Sequence, residues 1–215
     1  MHMYVELLEK VSLQDSPSSS RQLLFGIGHI FKALQLAKLN GHISRDLLGN
    51  ELSLGGGSIK TLVKHLKTKD MIKTSNAGTI LTEKGERIIS QILLRIPKET
   101  IIPPSSITVG KFNYAVLVKN ISNSINYGIE QRDIAIRSGA TGATTLLFKE
   151  GKFLVPKTNF NALANELKIQ KILMQNLQPT NNDVIIIGSD NISKQNAELA
   201  AKNAALFTIM NHLKH

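Results

Sequence analysis

Apolar residues between Arg21 and about Asn40 recur at helical spacing, at Leu23, Leu24, Ile27, Ile30, Phe31 and Leu34, and predict a long helix with one buried stripe. Asn40-Gly41 stops it. Ahead of it, MYVELLEKVSL (3–13) reads as a short amphipathic helix and DSPSSS (15–20) as a polar connector. Ser44 is placed to N-cap a second helix over SRDLLGNELSL, which ends at three glycines. A third helix, from near Ser58 to near Asp70, carries its apolar stripe at Ile59, Leu62, Val63 and Leu66. Two extended runs, Met71 to Thr74 and Thr79 to Leu81, flank Asn76-Ala77-Gly78 as a hairpin, and a fourth helix follows from Thr82 to about Arg95. Pro97, Pro103 and Pro104 allow no helix to continue and mark a domain boundary.

The second half has another rhythm. Strands are expected at 111–120, 143–149, 152–156 and 183–189, and helices at 127–139, 161–178 and about 193–213. The order β-α-β-β-α-β-α matches a ferredoxin-like arrangement plus one helix, with a profilin-like or other α+β sheet as the alternative. The expected fold class is α+β. The expected domains are an N-terminal helix and linker (1–20), a helical domain with a ribbon (21–96), a Pro-rich linker (97–110) and an α+β domain (111–215).

Charge sharpens this picture. The chain of 215 residues has a formal net charge of +10, which favours a polyanionic partner. Twelve of its lysines and arginines, against five acids, fall within residues 21–95. Cysteine is absent, which excludes disulfide and thiol chemistry. No apolar run is long enough to span a bilayer, and MHMYVELLEK lacks the form of a secretion signal, so a cytoplasmic protein without a membrane partner is expected. The histidines are scattered, and no metal, cofactor or catalytic motif is expected.

GGGSIKTLVKHLKTKD (55–70) admits two readings. A phosphate loop requires glycine at the positions that Leu54 and Ile59 occupy when its Lys-Thr is set on Lys60-Thr61, and it also requires a preceding buried strand. Neither condition is met. The face opposite the apolar stripe holds Gly57, Lys60, Thr61, Lys64 and Thr68, with His65 and Lys67 on its flanks. Such side chains suit a major groove, where lysine reaches phosphate or guanine, threonine a thymine methyl, and glycine permits close approach. The glycines are read as the hinge of a helix-turn-helix. The residues expected to contact DNA are Ser44, Arg45, Gly57, Ser58, Lys60, Thr61, Lys64, His65, Lys67, Thr68, Lys73, Ser75 and Asn76.

SRDLLGNELSLGGGSIKTLVKHLKTKDMIKTSNAGTILTEKGERII resembles the helix–turn–recognition helix–wing sequence of winged-helix transcription regulators, including their Leu-Thr-x-Lys-Gly stretch. The resemblance implies a recognition helix over 58–69 and a wing over 74–79. GIEQRDIAIRSGATGATTLLFKEGKFLVP is similar to the C-terminal half of an archaeal family of such regulators, which implies an archaeal cytoplasmic regulator but supplies no ligand residues.

Two stretches of the second half could receive a small molecule. One is the loop from Ser138 through Gly139, Thr141, Gly142 and Thr144; the other is Gly188-Ser189-Asp190-Asn191, ahead of the last helix. Gly139 equally serves to end a helix, and Ser189, Asp190 or Asn191 to cap one. Asp133 and Arg137 are spaced as a surface pair, leaving Arg132 as the anion-binding candidate. In the last helix, Ala197, Ala200, Ala201, Ala204 and Ala205 permit close helix contact, against its own sheet or across a dimer. The resulting expectation is a homodimeric transcription regulator that binds double-stranded DNA and senses a small molecule, without enzymatic activity. The alternative is a metabolite-binding protein or enzyme whose winged helix is a protein-contact module.

Overall fold

A computed structural model of the chain describes residues 25–75 and 78–212, which form two compact units divided after Ile92. The expected helix at 3–13, the connector after it, and Leu23, Leu24 and Asn76 lie outside the described residues.

The first unit holds three helices, a ribbon and a fourth helix. Helix α1 (Ile27–Asn40) buries Ile30, Phe31, Leu34 and Ala37 and ends on Gly41, whose φ of 73 is the left-handed stop that Asn40-Gly41 predicts. Helix α2 (Arg45–Leu52) is capped by Ser44, whose Oγ accepts from the Leu47 amide at 3.0 Å. Helix α3 (Gly56–Thr68) buries Ile59, Leu62, Val63 and Leu66, the four positions of the predicted stripe. Strands β1 (Ile72–Ser75) and β2 (Gly78–Leu81) pair antiparallel, and Ile43 bridges to Thr79 on the far side of β2. Helix α4 (Glu83–Leu93) presents Gly85, Ile88, Ile89 and Ile92 to the core.

Helix α3 corrects one expectation. It starts at Gly56 rather than near Ser58, with Gly55 as N-cap at φ −65. Gly56 and Gly57 are therefore its first turn, and the three glycines are not a hinge. The reorientation from α2 falls on Ser53, which takes φ 52.

The second unit is built on one antiparallel sheet in the order β3-β4-β7-β5-β6. Strand β3 (Glu99–Ile102) pairs with β4 (Phe112–Val118), and β4 with β7 (Val184–Asp190). Beyond β7 lie β5 (Gly142–Lys149) and the short β6 (Lys152–Leu154). Helices α5 (Ile129–Arg137) and α7 (Lys194–His212) cover one face and α6 (Leu167–Leu177) the other. All seven residues of β7 are buried. A strand apolar on both faces is stable only between two covered faces, so it takes the centre of the sheet.

Three expectations change here. The ferredoxin-like arrangement is not formed: that fold sets its first strand between its third and fourth, whereas here the last strand, β7, separates β4 from β5. Part of the expected 97–110 linker is strand β3, which fits between Pro97 and Pro103 because an edge strand tolerates flanking prolines. Helix α6 begins at Leu167, not near residue 161, because Asn161 turns the chain by accepting the Phe153 and Leu163 amides on Oδ1.

The alanine stripe of α7 is spent inside the chain. Ala197, Ala200, Ala201, Ala204 and Ala205 are fully buried, and a Cβ at Gly188 would overlap the Ala197 carbonyl oxygen. Small residues on both sides let α7 lie directly on β7, so this stripe is not available to a second copy.

Candidate functional site

The outward face of α3 follows from its inward one. Because Ile59, Leu62, Val63 and Leu66 are buried, helical geometry turns Gly57, Lys60, Lys64 and Thr68 to solvent, and all four are exposed. The side chains of Lys60 and Lys64 have no hydrogen-bond or ion-pair partner among the described residues, and neither has that of the exposed Lys73 on β1. Two other lysines of this unit are ion-paired: Lys32 with Glu51 at 3.1 Å, and Lys38 with Glu86.

The three glycines at the head of α3 are exposed, and a Cβ on any of them would meet no heavy atom within 4 Å. None has a positive φ. Neither packing nor backbone conformation therefore requires glycine there, and the first-turn amides are left uncovered by side chains.

The Leu-Thr-Glu-Lys-Gly stretch has a different role. Thr82 Oγ1 donates to the Asp70 carbonyl at 2.6 Å and accepts the Gly85 amide at 3.1 Å. Its own amide donates to Met71 O at 3.1 Å, and Lys84 Nζ donates to Lys69 O at 2.8 Å. A Cβ at Gly85 would overlap the Met71 carbonyl oxygen. These residues clamp the end of α3 and the start of the ribbon onto α4, so the motif builds the scaffold.

The remaining N-terminal candidates are placed unequally. Arg45 is exposed at the start of α2, and Ser58 is half-buried in the first turn of α3. Thr61 and Thr68 donate to carbonyls of their own helix, at Gly57 and Lys64, both at 3.0 Å. His65 meets the Phe25 ring edge-on at 5.8 Å, a packing role. Lys67 donates to Thr74 Oγ1, tying α3 to β1, and Ser75 Oγ donates to Gly78 O at 3.0 Å.

Burial, and then the charge of Lys32, lower the His29 imidazole from 6.5 to about 4. Its Nδ1 accepts the Gly26 amide at 3.1 Å, so the ring enters the head of α1 unprotonated.

In the second unit, the two candidate stretches converge on one end of the sheet. Gly142 pairs with Ser189, and Asn191 Nδ2 donates to Thr141 Oγ1 at 3.2 Å. That end is already filled by residues 107–111. Thr144 Oγ1 donates to Ile107 O at 2.7 Å, the Val109 amide donates to Ser189 Oγ at 3.4 Å, and the Lys111 amide to Asn191 Oδ1 at 3.2 Å. Asp190 Oδ2 accepts the Ile192 and Ser193 amides, both at 2.9 Å, and so caps the approach to α7. Gly188 is covered by α7, and Gly139 ends α5 at φ 88. Arg132 donates to Asp133 at 3.1 Å; the surface pair uses Arg132 in place of the expected Arg137.

One charged group here went unanticipated. Lys202 is fully buried in α7, with Nζ 2.7 Å from Glu198 and 3.2 Å from Glu99 on β3, and 5.9 Å from the centre of the Tyr114 ring. Strand β3 is what supplies its second carboxylate. Among the described residues, no cluster of His, Cys, Asp and Glu could hold a metal, and no helix is long and apolar enough to cross a membrane.

Two family models match the chain. Residues 27–87 match the PH0730-like, N-terminal domain, and residues 109–209 match a domain of unknown function, DUF4443. Among solved structures, hypothetical protein PH0730 from Pyrococcus horikoshii OT3 is similar at 22% identity, with 88% of this chain and 98% of that chain covered and a TM-score of 0.71. Among curated proteins none matches. These likenesses fit a family of archaeal proteins and carry the mixed α+β fold.

Proposed function

We propose that the first unit is a winged helix-turn-helix that binds double-stranded DNA, with α3 as the reading helix and the β1–β2 ribbon as the wing. In this reading the chain is a transcription regulator whose second unit senses a small molecule. The observation that carries the proposal is the outer face of α3, where Gly57, Lys60 and Lys64 are exposed and both lysines lack an internal partner.

The dimensions suit the task. Thirteen residues of helix extend about 20 Å, and their width of about 10–12 Å fits a B-DNA major groove about 12 Å across. Lys60 and Lys64, one turn apart, reach phosphates or guanine edges, and Lys73 on the ribbon meets a neighbouring phosphate. The bare first turn brings backbone amides to a phosphate at the positive end of the helix dipole. Thr61 and Thr68 keep their hydroxyls on the helix and present methyl groups instead. A reader of paired half-sites would work as a homodimer, associating through surfaces other than the α7 alanine stripe.

Salt dependence tests the proposal. Three phosphates neutralised by Lys60, Lys64 and Lys73 give a log–log slope of about −2.7, so affinity for a duplex selected from genomic fragments falls roughly 40-fold from 50 to 200 mM salt. Lys64→Ala makes that slope shallower by about 0.9. A slope that Lys64→Ala leaves unchanged removes Lys64 from the phosphate contacts.

A further inference from the structure

Between the 3-10 turn Ser122–Ser124, the start of α5 and the last turns of α7 lies a cleft of about 480 Å3. It is separate from the sheet end where the sequence places a ligand. Asn123, Asn126 and Asn211 line it, and none of their side-chain amides has a partner among the described residues. Gln131, on α5, also lines it and is only 3% exposed.

The orientation of the Gln131 amide follows from its neighbour. Thr208 Oγ1 donates to Ala204 O at 2.8 Å, so its oxygen can only accept from Gln131, and Nε2 supplies that bond at 2.9 Å. Oε1 is thereby left buried without a partner. A buried acceptor without a donor is costly, and a water, an ion or a molecule held in the cleft can supply the donor.

The lining also restricts the chemistry of that donor. Among the described lining residues Glu130 is the single ionisable side chain, and it brings a carboxylate to the cleft in a chain whose net charge is +10. Phosphates and carboxylates are disfavoured; neutral molecules rich in N–H groups are favoured. Carboxamides present a donor and an acceptor side by side, the complement of a heterocycle edge that alternates N–H and lone pair. Phe207 adds an apolar wall against which a flat ring can lie. The volume suits a molecule of nucleoside size.

We infer that this cleft binds a free nucleobase or nucleoside, with Gln131 Oε1 accepting from the base, Asn123, Asn126 and Asn211 reading its edge, and Glu130 accepting a further N–H. The site deepens the effector half of the proposed function and does not depend on DNA binding.

Calorimetric titration of the full chain with adenosine, guanosine, cytidine and uridine tests it. At least one should bind saturably, and its 5′-monophosphate should bind more weakly. Gln131→Met keeps the volume and removes the acceptor, and should weaken binding at least tenfold. Asn126→Ala, at an exposed position that does not bear on folding, should weaken it at least threefold and decides the matter where Gln131→Met does not fold. Lys64→Ala should leave nucleoside affinity unchanged while lowering duplex affinity, so the two proposals fail separately. The inference is overturned if none of the four nucleosides binds at millimolar concentration, if the monophosphate binds more tightly, or if Asn126→Ala and a folded Gln131→Met both bind as the parent does.

Discussion

Replacing Gly57 by alanine should move stability and binding in opposite directions. The residue is exposed in the first turn of α3, and an added methyl would meet no heavy atom within 4 Å. In the free protein the exchange therefore brings only the gain of helix propensity and a stiffer unfolded chain, about 0.5–1 kcal/mol so near the helix end. For the first unit this corresponds to a rise in Tm of roughly 3–6 °C. In the proposed complex with a duplex the same methyl would stand between the first-turn amides and a phosphate. Losing one such charge-assisted hydrogen bond, worth about 1.5–3 kcal/mol, weakens affinity roughly 10- to 150-fold. Thermal unfolding by far-UV circular dichroism and fluorescence anisotropy on a selected duplex at fixed salt read the two quantities. Higher stability with unchanged affinity would show that no phosphate approaches this turn. Lower stability would show that the space around Gly57 is not open.

Other outcomes follow from the same contacts. Gly85→Ala forces a Cβ onto the Met71 carbonyl and should cost roughly 3 kcal/mol or unfold the first unit, seen as a lowered urea midpoint. His29 binds its proton at about 4 when folded, below its ordinary 6.5, so the folded state is disfavoured as pH falls through that window. Its contribution is complete above 6.5 and lost toward 4, up to about 3 kcal/mol before solvent screening, and the urea midpoint of His29→Gln should vary less with pH there. Glu99→Ala leaves buried Lys202 with one carboxylate fewer and should destabilise the second unit by roughly 2–3 kcal/mol, measured by urea unfolding.

What the sequence made legible was local. The stripe of α3, the Ser44 cap and the Gly41 stop depend on residues within a turn or two of one another, and each stands where its pattern places it. The glycines at 55–57 misled because the residue that permits a hinge also tolerates a helix start, and only the φ values separate the two. Strand β3 has four residues between prolines, too few for any alternation to register. The central place of β7 depends on pairing with β4 and β5, distant in sequence, as does the burial of Lys202 against Glu99. The cleft around Gln131 joins residues 123–131 to 207–211, and no short window contains it.

The clamp of Thr82, Lys84 and Gly85 on the end of α3 has a consequence for how such a chain can change over time. These residues are held by contacts inside the fold, whereas the Lys60 and Lys64 side chains have no polar partner among the described residues and a Cβ at Gly57 would meet no heavy atom within 4 Å. Drift at the outer positions carries little folding penalty, while drift in the clamp is purged. If the outer face of α3 reads DNA as proposed, descendants can keep one architecture and diverge in target, and likeness concentrated in the clamp traces ancestry and says little about what each descendant recognises.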